Sequence, residues 1–262
     1  MKLGLCIEMA PSAIPFEDRF QAAADAGFKY VEMWFVRDFS YVGTPEKLAR
    51  LAAAAGVTIT NTVIGSPDGA IGGGLTDLAR RKQWLERAKM TLEFNRAAGI
   101  GATIVCTGNT VDGLSDAQMQ QSVVDGLKAT LEIAEKTGGT LLLEVLNTAY
   151  DHHGYWLSSS DRGAAVCRQI GSPRLKLLFD CYHMQIMEGD LVRHIERNID
   201  TIGHFHSAGV PGRHELFRGE INYPFVLQRI ESLGYTGVFG LEYAPELPDA
   251  ESLRKSLAYL TR

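Results

Sequence analysis

Short apolar runs alternate with longer stretches of helical periodicity along almost the whole chain. The short runs are rich in Val, Ile and Leu, which is typical of strands that are buried on both faces. The longer stretches repeat apolar residues at helical spacing and are long enough to return the chain across a sheet. The pattern predicts eight strands, at residues 2–9, 30–36, 57–64, 102–106, 140–146, 175–181, 201–206 and 237–243.

Eight helices are predicted to follow these strands, and several of them end at recognisable capping residues. Ser115 is a good N-cap for the fourth helix, and Gly138 with Gly139 allows a left-handed turn at its other end. Glycine also stands between helix and strand at positions 27, 56, 99 and 234, as short connections in parallel sheets require. The predicted helices cover residues 16–26, 45–55, 76–98, 115–137, 160–170, 190–199, 223–233 and 249–260.

The alternation of strand and helix determines the predicted fold. Parallel strands need helical crossovers, so strict alternation indicates an α/β protein with a parallel sheet. Eight such units in 262 residues fit a closed (β/α)8 TIM barrel better than two open sheets. No proline-rich or charged linker divides the chain, so we expect one TIM-barrel domain over residues 1–262.

The composition excludes several classes of protein. A hydrophobic content of 45% excludes a mostly disordered chain. Acidic residues outnumber basic ones by 31 to 26, which argues against a nucleic-acid partner. Glu8 and two prolines interrupt the N-terminal apolar run, and no later run is long enough to span a bilayer. We therefore expect a cytoplasmic protein with no membrane partner, whose four cysteines are buried, reduced thiols.

Ionisable side chains end four consecutive predicted strands, about one strand–helix unit apart. They are Glu144, Asp180, His206 and Glu242. In a barrel of this kind the carboxyl ends of the strands meet at one mouth, where active sites are built. Any one of these carboxylates has the alternative of binding backbone N–H groups or an arginine, but four in register predict a shared divalent cation. Three carboxylates and one imidazole favour Mn²⁺ or Mg²⁺, with Co²⁺ or Zn²⁺ as alternatives.

Other polar residues near the predicted mouth are weaker candidates. His183 follows the sixth strand and is placed to donate a hydrogen bond to a substrate oxygen, with structural packing as the alternative. Asn109 follows the fourth strand and is a further candidate for substrate binding. His204 lies two residues before His206 and is expected on the same face, one layer deeper, as a buried partner of the site, with a second ligand as the alternative. Glu32 is expected to be a polar layer residue, with a substrate contact as the alternative.

Two interpretations stay open for several further residues. Trp34 and Phe35 either wall the pocket or pack inside the barrel, and the histidine pair at 152–153 is expected to face solvent rather than to bind a ligand. The long segment 207–221 is typical of a lid or binding loop. We expect its Arg213 to bind a substrate carboxylate, with Glu215 as a neighbouring substrate contact; the alternative is a surface ion pair between these two residues.

Five segments of the second half of the chain carry a family resemblance. They are LLLEVLN (141–147), GYWLSS (154–159), FDCYHMQIMEGDL (179–191), IGHFHSAGVPGR (202–213) and GEINYPFVLQRIESLGYTGVFGLEY (219–243). In these motifs the chain resembles the sugar isomerase/epimerase barrels of the xylose isomerase-like superfamily, and within it the hydroxypyruvate isomerase family. The likeness extends over essentially the whole chain.

The resemblance implies a site as well as a fold. It implies that the four strand-end residues hold one divalent metal, that Glu144 and Glu242 also form an acid/base pair, and that His183 and Arg213 contact the substrate. Two features depart from the family pattern. His206 stands where hydroxypyruvate isomerases often have Gln and ketose 3-epimerases have His, and the stretch HELFRGE lacks the more usual Glu-Pro. Both departures leave the substrate open.

We therefore predict a metal-dependent isomerase, an intramolecular oxidoreductase of the aldose–ketose type. It would move a proton between adjacent carbons of a small hydroxy-oxo acid, as from hydroxypyruvate to tartronate semialdehyde, through an enediolate. A ketose 3-epimerase or a 2-oxo-tetronate isomerase with the same site is the alternative. A sugar-acid dehydratase, a barrel-type endonuclease and a non-catalytic sugar-binding protein are weaker alternatives. Barrels of this type commonly pair, so a homodimer or homotetramer is expected.

Overall fold

The computed structural model describes residues 1–34, 43–65 and 74–261. Within these ranges, parallel strands form one sheet in the order β3-β2-β1-β9-β8-β7-β6-β5-β4. The strands are β1 (Lys2–Cys6), β2 (Tyr30–Glu32), β3 (Thr58–Ile59), β4 (Asn61–Val63), β5 (Ala102–Val105), β6 (Thr140–Glu144), β7 (Leu175–Asp180), β8 (Ile202–Ser207) and β9 (Val238–Leu241).

The first and last strands of this order are two halves of one predicted strand, interrupted at Thr60. The half before Thr60 pairs with β2, and the half after it pairs with β5. Thr60 N donates to Val31 O at 2.9 Å, and Met33 N donates to Asn61 O at 3.3 Å. These bonds bring the ends of the sheet together, so the sheet forms a nearly closed barrel and the predicted fold class is confirmed.

All eight predicted helices are present in the described ranges. The α-helices are α1 (Arg19–Asp25), α2 (Pro45–Ala55), α3 (Arg81–Ala98), α4 (Asp116–Thr137), α5 (Ser160–Ile170), α6 (Cys181–Met187), α7 (Leu191–Asn198), α8 (Tyr223–Ser232) and α9 (Asp249–Leu260). Short 3₁₀ turns occupy Phe16–Asp18, Leu78–Arg80 and Leu216–Arg218. The predicted caps of α4 are found: Ser115 and Gln118 form a reciprocal capping box, and Gly138 has a φ of 81°. No described helix combines the length and apolar character needed to cross a membrane.

Two predicted strand ends are corrected by local turns. The strand predicted over 2–9 ends at Cys6, because Cys6 O accepts the N–H groups of Met9 and Ala10, both at 3.2 Å, and turns the chain. Cys181, predicted as the end of a strand, instead begins α6. The end of the strand predicted over 30–36, including Phe35, lies outside the described residues.

Alternation along the strands separates the barrel interior from the packing against the helices. On β8, His204 and His206 share one face of the strand and Phe205 has the other. The Phe205 ring packs against Phe239 at a centroid distance of 5.9 Å, and Phe239 in turn contacts Tyr223 of α8. The aromatic residues therefore pack between the sheet and its helices, while the polar residues face the interior of the barrel. All four cysteines are buried and form no disulfide, as predicted.

Candidate metal centre and active site

The four predicted strand-end residues meet at the mouth of the barrel. Glu144 and Asp180 are the last residues of β6 and β7, His206 lies in β8, and Glu242 directly follows β9. All four are buried, and each offers one ligand atom within 4.8 Å of the others. Their side chains form a cluster that could hold one metal ion, which we call the carboxylate cup.

His206 presents one ring nitrogen to this cup. Its Nδ1 lies 3.3 Å from Oε1 of Glu144 and 3.3 Å from Oε2 of Glu242. This nitrogen is buried and makes no well-aligned hydrogen bond within the described residues. Its Nε2 lies 2.9 Å from Oε2 of Glu32. Burial by itself would lower the pKa of His206, but the carboxylates of Glu242 and Glu32 outweigh it and raise this pKa well above its ordinary value, which favours the protonated ring. A divalent cation among these carboxylates would take the place of the proton on Nδ1, while Glu32 would keep the proton on Nε2 and orient the ring.

Glu32 lies beneath the cup and organises the polar layer. Its Oε2 is 2.9 Å from Nε2 of His204 and accepts a hydrogen bond from Nδ2 of Asn61 at 2.8 Å. Burial opposes ionisation of Glu32, but the charges and hydrogen bonds of His204 and His206 outweigh it and lower the pKa of Glu32 below its usual range. A Cβ atom added at Gly240 would lie 1.9 Å from Oε1 of Glu32, so only glycine leaves room for this carboxylate.

Glu242 is held at both oxygens. Its Oε1 accepts a hydrogen bond from Nε1 of Trp34, and its Oε2 accepts one from Nη2 of Arg213, both at 2.6 Å. Burial by itself would raise the pKa of Glu242, but the nearby charges of His206 and Arg213 lower it well below its ordinary value. Trp34 therefore lines the pocket and is not only a packing residue of the barrel, which decides between the two interpretations of this residue.

Asp180 divides its two oxygens between a helix and the cup. Its Oδ1 accepts the N–H groups of Tyr182 and His183, at 2.7 and 3.1 Å, and so caps α6. This cap is the reason that α6 follows β7 without a loop. Burial, reinforced by the charges of Glu242 and Glu144, raises the pKa of Asp180 to about 7. The cup thus contains more buried negative charge than its protein neighbours offset, which a bound cation would correct.

Arg213 reaches the cup from a strained loop. Its backbone has a φ of 60° and follows a cis peptide between Val210 and Pro211. The left-handed conformation is held by bonds from Arg213 N to Gly209 O and from Ala244 N to Arg213 O. Such strain in a non-glycine residue persists only where surrounding contacts over-determine it. The guanidinium pairs with Glu242, not with Glu215, so the surface ion pair considered as an alternative is wrong.

Glu215 and Asn109 are not brought to the cup. Glu215 is fully buried, and its Oε1 accepts hydrogen bonds from Glu246 N, Leu247 N and Ser252 Oγ at 2.9–3.1 Å. This carboxylate fixes the connection from β9 to α9, and its burial there contradicts the predicted substrate contact. Asn109 is exposed and forms an isolated bridge with Tyr155, outside the residues that line the cavity at the cup.

His183 lies beside the cup in the first turn of α6. It is fully buried, with Nε2 at 3.5 Å from Oδ2 of Asp180 and Nδ1 at 2.7 Å from Nδ2 of Asn147. Burial, followed by the charges of Arg213 and His152, lowers the pKa of His183 well below its ordinary value, so the ring is neutral. His152 packs edge-on against it at a centroid distance of 5.2 Å, which corrects the prediction that this histidine faces solvent.

A cavity at the cup is lined by both polar and apolar residues. The polar lining residues are Glu144, Glu242, Arg213, His152 and Trp34. The apolar ones are Val63, Ile104 and Leu146. Such a lining suits a small molecule that carries several oxygens as well as C–H bonds. Two opposed carboxylates beside a cation site can move a proton to or from a carbon next to a carbonyl group.

Comparison with known proteins identifies the family. Residues 20–262 match the family model of the xylose isomerase-like TIM barrel. The chain belongs to this family. It is 35% identical to 2-oxo-tetronate isomerase of Cupriavidus necator, with 94% of each chain covered. It is 30% identical to hydroxypyruvate isomerase of Escherichia coli, over 91% of this chain and 92% of that protein.

A solved structure is also closely similar. The AP endonuclease, family 2, of Brucella melitensis has a TM-score of 0.90 and 28% identity, with 99% of both chains covered. The membership confirms the resemblance stated from the sequence motifs, and the two relatives of nearly full length confirm the prediction of an isomerase enzyme.

Proposed function

We propose that this isomerase is metal-dependent and interconverts hydroxypyruvate and tartronate semialdehyde, or the corresponding four-carbon 2-oxo acid pair. The observation that carries the proposal is the geometry at His206, where glutamates from two different strands each lie 3.3 Å from Nδ1. Arg213 adds a cation suited to a carboxylate-bearing substrate. Relatives named for hydroxypyruvate and for 2-oxo-tetronate support the same class of substrate.

The proposed reaction is a proton transfer between adjacent carbons. One glutamate removes a proton from C3 of hydroxypyruvate, next to the C2 carbonyl, and a proton returns at C2 while the hydroxyl proton moves from O3 to O2. Glu144 and Glu242 stand on strands three positions apart in the sheet, so they approach the substrate from different sides. Trp34 and Arg213 orient Glu242 through its two oxygens.

The donor set fits a divalent cation. Glu144, Asp180, His206 and Glu242 would hold it, and three carboxylates favour a hard ion such as Mn²⁺ or Mg²⁺. When bound, the ion would polarise the carbonyl group and stabilise the negative charge that develops as the proton leaves. The apolar lining residues Val63, Ile104 and Leu146 would help to keep water from the carbon atoms during the transfer.

Solvent exchange tests the proposal. In D₂O, the Mg²⁺-loaded protein should introduce deuterium at C3 of hydroxypyruvate and at C2 of the product, as followed by ¹H NMR. Glu144→Gln and Glu242→Gln should each slow exchange at least 100-fold, because general acid/base groups contribute about 10²–10⁴-fold. Glu93→Gln, on the exposed face of α3, is the matched control and should retain the wild-type rate. Wild-type turnover in both cup variants would contradict the acid/base pair.

A second candidate is supported by one residue. His206 matches the histidine of ketose 3-epimerases, and glutamates on different sides would allow a proton to return to the opposite face of the same carbon. The same experiment with 2-oxo-tetronate and a set of ketoses separates the two. Deuterium at C3 of a ketose, with inversion there and no reaction of hydroxypyruvate, would replace the isomerase proposal by the epimerase. No exchange with any of these compounds would contradict both.

A further inference from the structure

Asn147, three residues after Glu144, uses all of its hydrogen-bonding capacity. It is fully buried, and its Oδ1 accepts the N–H groups of Tyr150 and Asp151 at 3.0 and 3.1 Å. Its Nδ2 lies 2.5 Å from Oδ2 of Asp151 and 2.7 Å from Nδ1 of His183. A side-chain amide has two acceptor positions and two N–H donors, so every position is occupied.

These partners determine which way the amide of Asn147 faces. Turning it over would place the NH₂ group against two backbone N–H groups. It would also place the carbonyl oxygen 2.5 Å from a carboxylate oxygen of Asp151. Both contacts would be repulsive, so the network admits only one orientation. In that orientation an N–H of Asn147 points at Nδ1 of His183.

The direction of this hydrogen bond determines the tautomer of His183. A ring nitrogen that accepts a hydrogen bond carries no proton, so the proton of the neutral ring is on Nε2. Nε2 is buried and has no hydrogen-bond partner within the described residues. It lies at the edge of the carboxylate cup, 3.5 Å from Oδ2 of Asp180. The ring therefore offers an unused N–H donor at the edge of the cup, and His152, which packs against this ring, lines the cavity.

We propose that Asn147 is a positioning residue, which fixes His183 in the Nε2–H tautomer so that the imidazole donates a hydrogen bond to a substrate oxygen. The effect on turnover rests on the proposed isomerase function, whereas the tautomer is a property of the protein without substrate. Asn147 and Asp151 belong to the turn that follows β6, so this turn, rather than α6 alone, determines what His183 can donate.

A polarity swap tests the assignment. In Asn147→Asp/Asp151→Asn the two residues exchange donor and acceptor, which preserves their mutual hydrogen bond and the total charge. The introduced carboxylate still accepts hydrogen bonds from the two backbone N–H groups. Its other oxygen can now only accept a hydrogen bond from His183, which places the proton of the ring on Nδ1. The single variant Asp151→Asn is the matched control, because an amide oxygen still accepts from Asn147 and the bond to His183 is unchanged.

The tautomer is read by ¹⁵N NMR of selectively histidine-labelled, Mg²⁺-loaded protein, with His183 assigned from the signals lost in His183→Gln. We expect an unprotonated Nδ1 and a protonated Nε2 in the wild type and in Asp151→Asn, and a protonated Nδ1 in the double variant. A protonated Nδ1 in the wild type would overturn the proposal. So would unchanged His183 shifts in a double variant whose other histidine signals show an intact fold. If the double variant does not fold, the wild-type shifts alone decide.

Turnover then links the tautomer to catalysis. With hydroxypyruvate, kcat of the double variant should lie about 100-fold below that of Asp151→Asn, the loss typical of removing one preorganised donor. A double variant with a protonated Nδ1 and an unchanged kcat would overturn the positioning role. If the tautomer is as expected but the wild type does not turn over hydroxypyruvate, the proposed substrate fails and the assignment of Asn147 stands.

Discussion

His206 shows how one side chain joins two layers of the barrel interior. Its Nδ1 faces Glu144 and Glu242 in the cup, and its Nε2 faces Glu32 below. A carboxylate behind a ligating histidine orients the ring and strengthens it as a ligand, so the layer below belongs to the proposed metal site. That layer exists only because Gly240 leaves space for Glu32.

Gly240→Ala should therefore weaken metal binding although it replaces none of the four proposed ligands. The new Cβ would lie 1.9 Å from Oε1 of Glu32 and 3.0 Å from Cδ2 of His206, which forces both groups to move. We expect Mn²⁺ affinity to fall about 10- to 100-fold and the free energy of unfolding to fall by about 1–3 kcal/mol. Isothermal titration and urea unfolding measure the two effects.

Gly101→Ala provides the control for this variant. Among the described residues, apart from Gly101 and its two chain neighbours, no heavy atom lies within 4 Å of a Cβ added there, so both Mn²⁺ affinity and stability should stay near the wild-type values. If Gly240→Ala bound Mn²⁺ as tightly as Gly101→Ala, the role assigned to Glu32 would be wrong.

At the level of secondary structure, Asp180 joins a strand to a helix. One carboxylate oxygen caps α6, and the other remains directed at the cup. The cap places His183 in the first helical turn, beside the metal ligands. Asp180 therefore contributes to α6 through an oxygen that accepts hydrogen bonds, and to the proposed metal site through its charge.

Substitutions at Asp180 should separate these two properties. Asp180→Asn retains an oxygen that accepts the N–H groups of α6 but removes the charge, so stability should change little while Mn²⁺ affinity falls at least 10-fold. Asp180→Ala also removes the cap and should cost a further roughly 1 kcal/mol in the free energy of unfolding. Urea unfolding of metal-free protein, with titration of Mn²⁺, measures both. Equal metal-free stability of the two variants would show that the cap is unimportant.

Most elements could be predicted because their determinants are local. The bounds of α2, α5 and α9 agree with the apolar periodicity, and glycines with positive φ end helices where expected. The start of α6 could not be predicted, because Asp180 fits a strand end equally well until its carboxylate is seen to cap a helix. The break at Thr60 depends on hydrogen bonds to the neighbouring strand β2, which is distant in the sequence, so no local pattern indicates it.

The four candidate metal ligands could be predicted from the sequence, but most of the side chains that contact them could not. Glu144, Asp180, His206 and Glu242 stand out because ionisable groups are rare at the ends of apolar strands. The contacts of Trp34 and Asn147, by contrast, depend on the register between strands and on the conformation of loops. Glu215 was misassigned because its proximity to Arg213 in the sequence gave no indication that the loop after β9 encloses it.

Across the whole molecule, charge is distributed unevenly. The chain has a formal net charge of −5, yet four of its carboxylates are buried together in and below the cup. Among the described residues, Arg213, His183 and the two histidines of β8 are cations or potential cations that contact them. Burying this much negative charge is costly unless it is compensated, and a resident dication would compensate it. The charged residues that are most costly to bury therefore lie together at the mouth of the barrel, where the proposed metal-dependent reaction would use them.

The central claim is that one divalent ion in the carboxylate cup is required for turnover. Chelator-treated protein should be titrated with Mn²⁺ while bound metal, by equilibrium dialysis, and conversion of hydroxypyruvate are followed on the same samples. The account predicts that turnover rises in proportion to occupancy and saturates at one ion per chain. Full turnover in protein without bound metal would contradict it.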